Sequence, residues 1–389
     1  MKKSHFGARL RLRLLMRCAI AATLVLVSPS LAFSQDAAQA ARPQTPQPPF
    51  PYRSEEVRFT NLEAGIVLAG TLVLPDGEGP FAAAVLVTGS GPQDRDETLL
   101  GHKPFWVIAD YLARRGIATL RYDDRGVAAS QGDFASATTL DFAKDAQAAL
   151  DYLSTRADVK PGRVGIVGHS EGGIVASIVA SRRSDLGFAV LLAGSGVKGE
   201  EILYLQNAAI GRASGMSEEA ILEANAANSR IYAIAQRDED LETRQDELVA
   251  LMETYLGARP EDPEDLRLAR QAQAKAMTSP LLSPWFVTFL SLDPSLYLRE
   301  AKAPVLAMIG SKDLQVPSKE NLKAIREALS DEGGGMRNPY SSIVEMEGLN
   351  HLFQRSSTGH PSEYGFIPET FAPEALKVLG DWISSVPVR

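Results

Sequence analysis

Cysteine is almost missing from this chain. One residue in 389, Cys18, carries a thiol. An internal disulfide is therefore excluded, and so is a thiol nucleophile anywhere beyond residue 18. Histidine is scarce as well, at five residues. No H-x-x-x-H or C-x-x-C spacing occurs, so neither a bound metal nor a cofactor is expected. The glycine-rich stretch at 165–173 lacks the lysine of a phosphate loop and the G-x-G-x-x-G of a dinucleotide site. Long hydrophobic runs are wanting too. The apolar run from Cys18 to Val27 falls well short of the ~20 residues that a membrane span needs. Positive charge is in deficit, with 40 Lys and Arg against 48 Asp and Glu. Six of those cations crowd into the first 17 residues, so the remainder carries 34 against 48. A net charge of that sign argues against nucleic acid or anionic lipid as a partner.

What is present begins with that basic segment. Lys2, Lys3, Arg9, Arg11, Arg13 and Arg17 precede the short apolar run, and small residues follow it. This is the pattern of a signal peptide over residues 1–34, cleaved after Ser34 or, alternatively, after Ala32. It predicts a periplasmic or secreted protein with no membrane span in the mature chain. Residues 35–52 are rich in Ala, Gln and Pro and read as an extended linker.

From residue 53 the pattern becomes that of a folded domain. Residues 55–60 and 66–75 alternate or run apolar and predict an antiparallel pair at a sheet edge. Phe81 to Thr88 is a continuous apolar run, as expected for a strand covered on both faces. Strands at 117–122, 163–167 and 188–193 then alternate with helices at 105–115, 140–153 and 173–180. This alternation predicts an α/β class, with a doubly wound and mostly parallel sheet. The rhythm breaks after Gly194-Ser195-Gly196. Residues 197–300 show no convincing strand and read as a helical cap insertion, with a helix capped by Ser217 and another starting at Asp262-Pro263. The βα rhythm resumes at 303–310, so residues 53–196 and 301–389 form one domain.

The chemistry centres on Gly168-His169-Ser170-Glu171-Gly172, a G-x-S-x-G between an apolar strand and an apolar helix. A sharp strand–turn–helix lifts a serine hydroxyl clear of the sheet, and the flanking glycines leave room for the turn. Serine needs a base to take its proton. In doubly wound hydrolases the partners follow in the order Ser, acid, His, on loops after strands. His351, directly after the last predicted strand, fits best, with His360 as the alternative. His169 adjoins Ser170 but points away from it. Asp313, after the strand at 305, fits the acid, and Asp293 is the nearest competitor. Backbone donors for a developing oxyanion are expected from Glu171 N–H and from the loop Thr88-Gly89-Ser90-Gly91, through Ser90 N–H. The Glu171 carboxylate is expected at the surface, and Asp94-Arg95-Asp96 as an ion-paired loop brace. Trp285, Phe286 and Phe289 are candidates either for core packing or for an acyl pocket.

These runs, together with Arg121-Tyr122-Asp123-Asp124-Arg125-Gly126 and Gly310-Ser311-Lys312-Asp313, resemble the α/β-hydrolase superfamily from about residue 55 to the end. Within it they look like the secreted bacterial EstD-like carboxylesterases, close to serine-aminopeptidase-like hydrolases. The resemblance implies a serine hydrolase acting on a small-molecule ester, with Ser170, Asp313 and His351 as its catalytic residues. Two positions depart from the family pattern. Thr88 stands where a histidine is common, and Val127-Ala128-Ala129-Ser130 replaces a G-x-G-x-S ending. An exopeptidase or amidase on the same residues is the alternative, and a non-catalytic binding protein of the same fold is a third reading.

Overall fold

The computed structural model describes residues 42–388. The expected signal peptide, its two expected cleavage points and the first part of the expected linker lie outside the described residues. The described residues divide into two compact units, Gly199–Leu292 and the rest of them.

In the larger unit the strands are β1 (Tyr52–Asn61), β2 (Ile66–Pro75), β3 (Phe81–Val87), β4 (Ile117–Tyr122), β5 (Val159–His169), β6 (Phe188–Leu192), β7 (Val305–Gly310) and β8 (Ser342–Met346). They form one sheet in the order β1-β2-β4-β3-β5-β6-β7-β8. β2 is antiparallel to both β1 and β4, and every later pair is parallel. The fold is that of the α/β-hydrolases. The reason lies in the residue pattern. β6 and β7 are apolar along their whole length and buried throughout, which only a strand covered on both faces tolerates. β1 keeps alternating exposure and sits at the sheet edge.

Helices α1 (Pro104–Ala113) and α11 (Pro373–Ser385) cover one face. Phe105, Ile108 and Leu112 from the first meet Leu376, Leu379 and Ile383 from the second over Leu86, Val190 and Met308. A second layer is built from α2 (Thr139–Ser154), α3 (Glu171–Arg182), α9 (Pro294–Glu300) and α10 (Ser318–Leu329), packed one against the next. Each buried Leu, Ile or Phe in such a core stabilises by about 1.5–3 kcal/mol.

The sheet order sets the site. β5 lies beside β3, with Val87 opposite Gly168, although β4 comes between them in sequence. The loops leaving β3 and β5 therefore diverge from neighbouring strand ends, where open α/β sheets place their ligands.

Two expectations change. Arg42 and Gln44, read as linker, are fastened to the domain. The Arg42 guanidinium donates to the carbonyls of Leu100, Gly365 and Ile367 at 2.7–3.0 Å. Gln44 accepts from Thr370 N and Phe371 N and donates to Phe371 O. Composition marked a segment unable to build a core, but not one that satisfies carbonyls elsewhere. Asp262 does not cap the helix near it, because Pro263 holds the cap position. Asp262 instead pairs with Arg270 and accepts from Arg259 N.

The smaller unit is helical: α4 (Gly199–Ala213), α5 (Glu218–Ala235), α6 (Leu241–Tyr255), α7 (Glu264–Thr278) and α8 (Pro284–Ser291). Ser217 caps α5 by accepting from Ala220 N. Tyr232 and Phe286 are fully buried and meet edge to face. The ends of the unit are joined, since Gly199 N–H donates to Leu292 O at 2.8 Å.

Candidate active site

Ser170 follows the last residue of β5 and caps α3, at φ 53° and ψ −117°. A side chain rarely adopts that backbone, and the surroundings enforce it. A Cβ on Gly168 would collide with Gly172 O, and one on Gly172 with Val87 O. Gly173 packs against Gly194, whose Cα would lie 2.7 Å from an added Cβ. Only glycine allows these approaches. Ser170 N–H is held by Leu192 O at 2.8 Å, and Ser170 O accepts from Gly173 N.

The loops after β7 and β8 bring in the next pair. Asp313 Oδ2 lies 2.8 Å from His351 Nδ1, and the two side chains are 0% and 5% exposed. Asp313 Oδ1 accepts from Gln315 N and Val316 N at 2.9 and 2.8 Å. One oxygen is thus spent on the backbone and the other faces the imidazole. The His351 loop is fixed by its own neighbour, because Asn350 Oδ1 accepts from Leu352 N and Gln354 N. His351 stands beside the serine elbow, its ring centroid 4.9 Å from that of His169.

The loop after β3 closes over the serine. A Cβ on Gly89 would sit 3.1 Å from Ser170 Cβ. Asp124 braces this loop, accepting from Thr88 Oγ1 at 2.8 Å and Gln93 N at 2.9 Å. Burial pushes the Asp124 carboxyl well above its usual range, and the nearby Glu171 and Glu97 charges push the same way. Thr88, the departure from the family histidine, is therefore a brace. Ser130, in the other departure, donates to Asp123 O and accepts from Ala69 N.

Other candidates find structural places. His360 caps the 3-10 turn Pro361–Phe366 by accepting from Ser362 N. Asp293 caps α9 through Ser295 N. Arg95 pairs with Glu56 and Asp123, and Asp96 with Lys103 and Arg121, as the loop-brace reading expects. Within the helical unit Phe286 packs on Tyr232, and half-buried Trp285 stacks on Phe289 with centroids 5.2 Å apart. The Glu171 side chain is a correction. It is buried, not exposed, and accepts from Thr139 Oγ1 at 2.7 Å. The start of α3 is covered by α2, which its sequence neighbours do not reveal.

Sequence reasoning missed Glu97. It is buried at φ 53° at the end of a charged run that looks like surface. Nothing in the local sequence sets it apart from Asp94, Arg95 and Asp96. The G-x-G-x-x-G spacing that the stretch at 165–173 lacks does occur at 194–199. There Gly194 backs onto Gly173, and a Cβ on Gly196 would sit 2.5 Å from Asn321 O. Close packing accounts for both.

The X-Pro dipeptidyl-peptidase family, S15, matches residues 64–338. The chain belongs to that family. The matched span holds Ser170 and Asp313 and stops short of His351. This S15 family member is 30% identical over 290 residues to Esterase EstD of Thermotoga maritima, a span covering 73% of this chain and 58% of that one. It thus spans less than two thirds of that relative's length. Among solved structures it is similar to the α/β-hydrolase GrgF from Penicillium sp. sh18, with 17% identity, 86% and 99% of the two chains covered, and a TM-score of 0.52. The hypothetical protein PA2218 from Pseudomonas aeruginosa aligns at 15% identity over 92% and 100%, with a TM-score of 0.53. These two likenesses show the fold of the S15 family member. No helix among the described residues is long and apolar enough to cross a membrane.

Proposed function

We propose that the chain is a serine hydrolase that cleaves carboxylic esters of small molecules through an acyl-enzyme. The observation that carries this reading is a serine held in a strained strand–helix turn, beside an imidazole anchored at 2.8 Å by a buried aspartate. His351 Nε2 takes the Ser170 proton as Oγ attacks the ester carbonyl. Asp313 holds the tautomer with its proton on Nδ1 and stabilises the imidazolium that forms. The oxyanion is received by Ser90 N–H and Glu171 N–H. This choice is supported by position, since Glu171 follows the nucleophile and Ser90 lies on the loop after β3, and by the commitment of Gly89 N–H to Glu97. The intermediate collapses, the imidazolium gives its proton to the leaving alcohol, and water releases the acid by the same steps. No metal or cofactor enters this chemistry. The leader supports a periplasmic or secreted site of action.

The test is turnover of p-nitrophenyl butyrate by the wild type and Ser170→Ala. The expected result is loss of turnover in the variant, and equal rates would refute the assignment. A second reading, an exopeptidase or amidase on the same residues, is favoured by the family description, X-Pro dipeptidyl-peptidase. Aminoacyl p-nitroanilide cleavage far exceeding butyrate ester cleavage would select it.

A further inference from the structure

We propose that Glu97 and His169 are positioning residues of the Ser170 site, a buried pair that ties the oxyanion loop, the serine elbow and the base loop to one another. This inference rests on the serine-hydrolase reading above. A single oxygen, Glu97 Oε1, accepts from Gly89 N at 2.7 Å and lies 2.9 Å from His169 Nδ1. His169 Nε2 lies 3.0 Å from His351 O. The chain of bonds therefore runs from the loop after β3, through the residue preceding Ser170, to the backbone of the base. The two bonds of His169 are buried and that of Gly89 is partly so, so a lost partner leaves a polar group unsatisfied.

The pair is also assigned a charge, with Glu97 as its carboxylate. The carbonyl of His351 can only accept, so His169 Nε2 carries a proton. A carboxylate at Glu97 can only accept too, so Nδ1 carries a proton and donates to it. His169 is then doubly protonated, an imidazolium paired with a carboxylate. Burial alone would drive its proton off, but the Glu97 charge and the bond to the His351 carbonyl outweigh burial and raise its pKa. Facing this pair are His351 and Asp313 from the loops after β8 and β7, and Asp124 from the loop after β4.

The experiment uses the full chain with three variants, each checked for a wild-type unfolding transition. Glu97→Ala removes the tie to Gly89, and Glu97→Gln serves in its place should the alanine variant fail to fold. His169→Gln keeps a donor toward His351 O and removes the charge. With p-nitrophenyl butyrate, the Glu97 variants should lose about tenfold or more in kcat with KM within about twofold, and the rate of fluorophosphonate labelling of Ser170 should fall in parallel. In His169→Gln kcat should fall as well, with KM within about twofold. Folded variants with unchanged kcat would overturn the inference. Parallel losses in kcat and in substrate affinity, the mark of general loosening, would do the same. Imidazole nitrogen NMR at pH 7 gives a readout free of turnover, with His169→Gln supplying the assignment. Both ring nitrogens protonated is the expected result, and a neutral tautomer refutes the pair. Should wild type and Ser170→Ala prove equally active, the esterase reading fails by itself and the NMR result still decides the pair.

Discussion

Replacing the serine should make the protein more stable, but only with the right residue. Ser170 sits at φ 53° and ψ −117°. A non-glycine residue held in so sparse a region costs about 1–3 kcal/mol. Glycine at 170 relieves that strain, while its freer unfolded chain returns about 0.5–1 kcal/mol of the gain. Alanine keeps the Cβ and with it the strain, so it is the proper reference. The expected difference is a Ser170→Gly variant more stable than Ser170→Ala by about 1 kcal/mol. In a folded body of this size that corresponds to about 1–2 °C in Tm. Urea titration and calorimetry of the two inactive variants measure it directly. Glycine equal to or less stable than alanine would show that the surrounding glycines hold no strained turn, and that the serine is displayed without cost.

Further outcomes follow from other parts of the molecule. Asp313→Asn should lower kcat by about 10³–10⁴ with little change in KM, read by steady-state kinetics, because the amide favours the wrong imidazole tautomer. Arg125→Met should destabilise by about 3–5 kcal/mol in urea unfolding, since it strands the buried Asp145 carboxylate with Asn61 alone. His102 is buried among Thr370, Tyr364 and Gln354. Burial lowers its pKa from 6.5 to about 4, against the Tyr364 carbonyl and with help from Arg42. The unfolded chain takes up this proton first, so the stability from neutral His102 is intact above pH 6.5 and is lost as pH falls toward 4. That loss is at most about 3 kcal/mol, and urea midpoints in His102→Gln should flatten over the same range.

The sheet and the elbow were legible because their signals are local. Continuous apolar runs mark β3, β6 and β7, and the glycines around Ser170 mark a turn that no other residue could make. Asp313 and His351 could be placed because chain order restricts where a loop after a strand can lie. Glu97 was not legible. Its neighbours Asp94, Arg95 and Asp96 are charged and partly exposed, and only the closure of the β3 loop over His169, across 72 residues, turns it inward. Glu171 misled for the same reason, its partner Thr139 lying on another helix. Arg42 finds its carbonyls more than 300 residues away at Gly365 and Ile367. Long-range polar satisfaction leaves no periodicity to read.

The hydrogen bond between Gly199 and Leu292 has a consequence for how such a protein can change. A segment whose first and last residues already meet behaves as a cassette. Its length can grow or shrink without pulling on β6 or β7, which remain paired through Ala189 and Val305. Closing a longer loop costs little, about 0.6 kcal/mol for each doubling. The part of the chain most open to exchange thus begins and ends at one bonded pair of residues, while the serine, the aspartate and the histidine lie on loops that follow β5, β7 and β8, outside it.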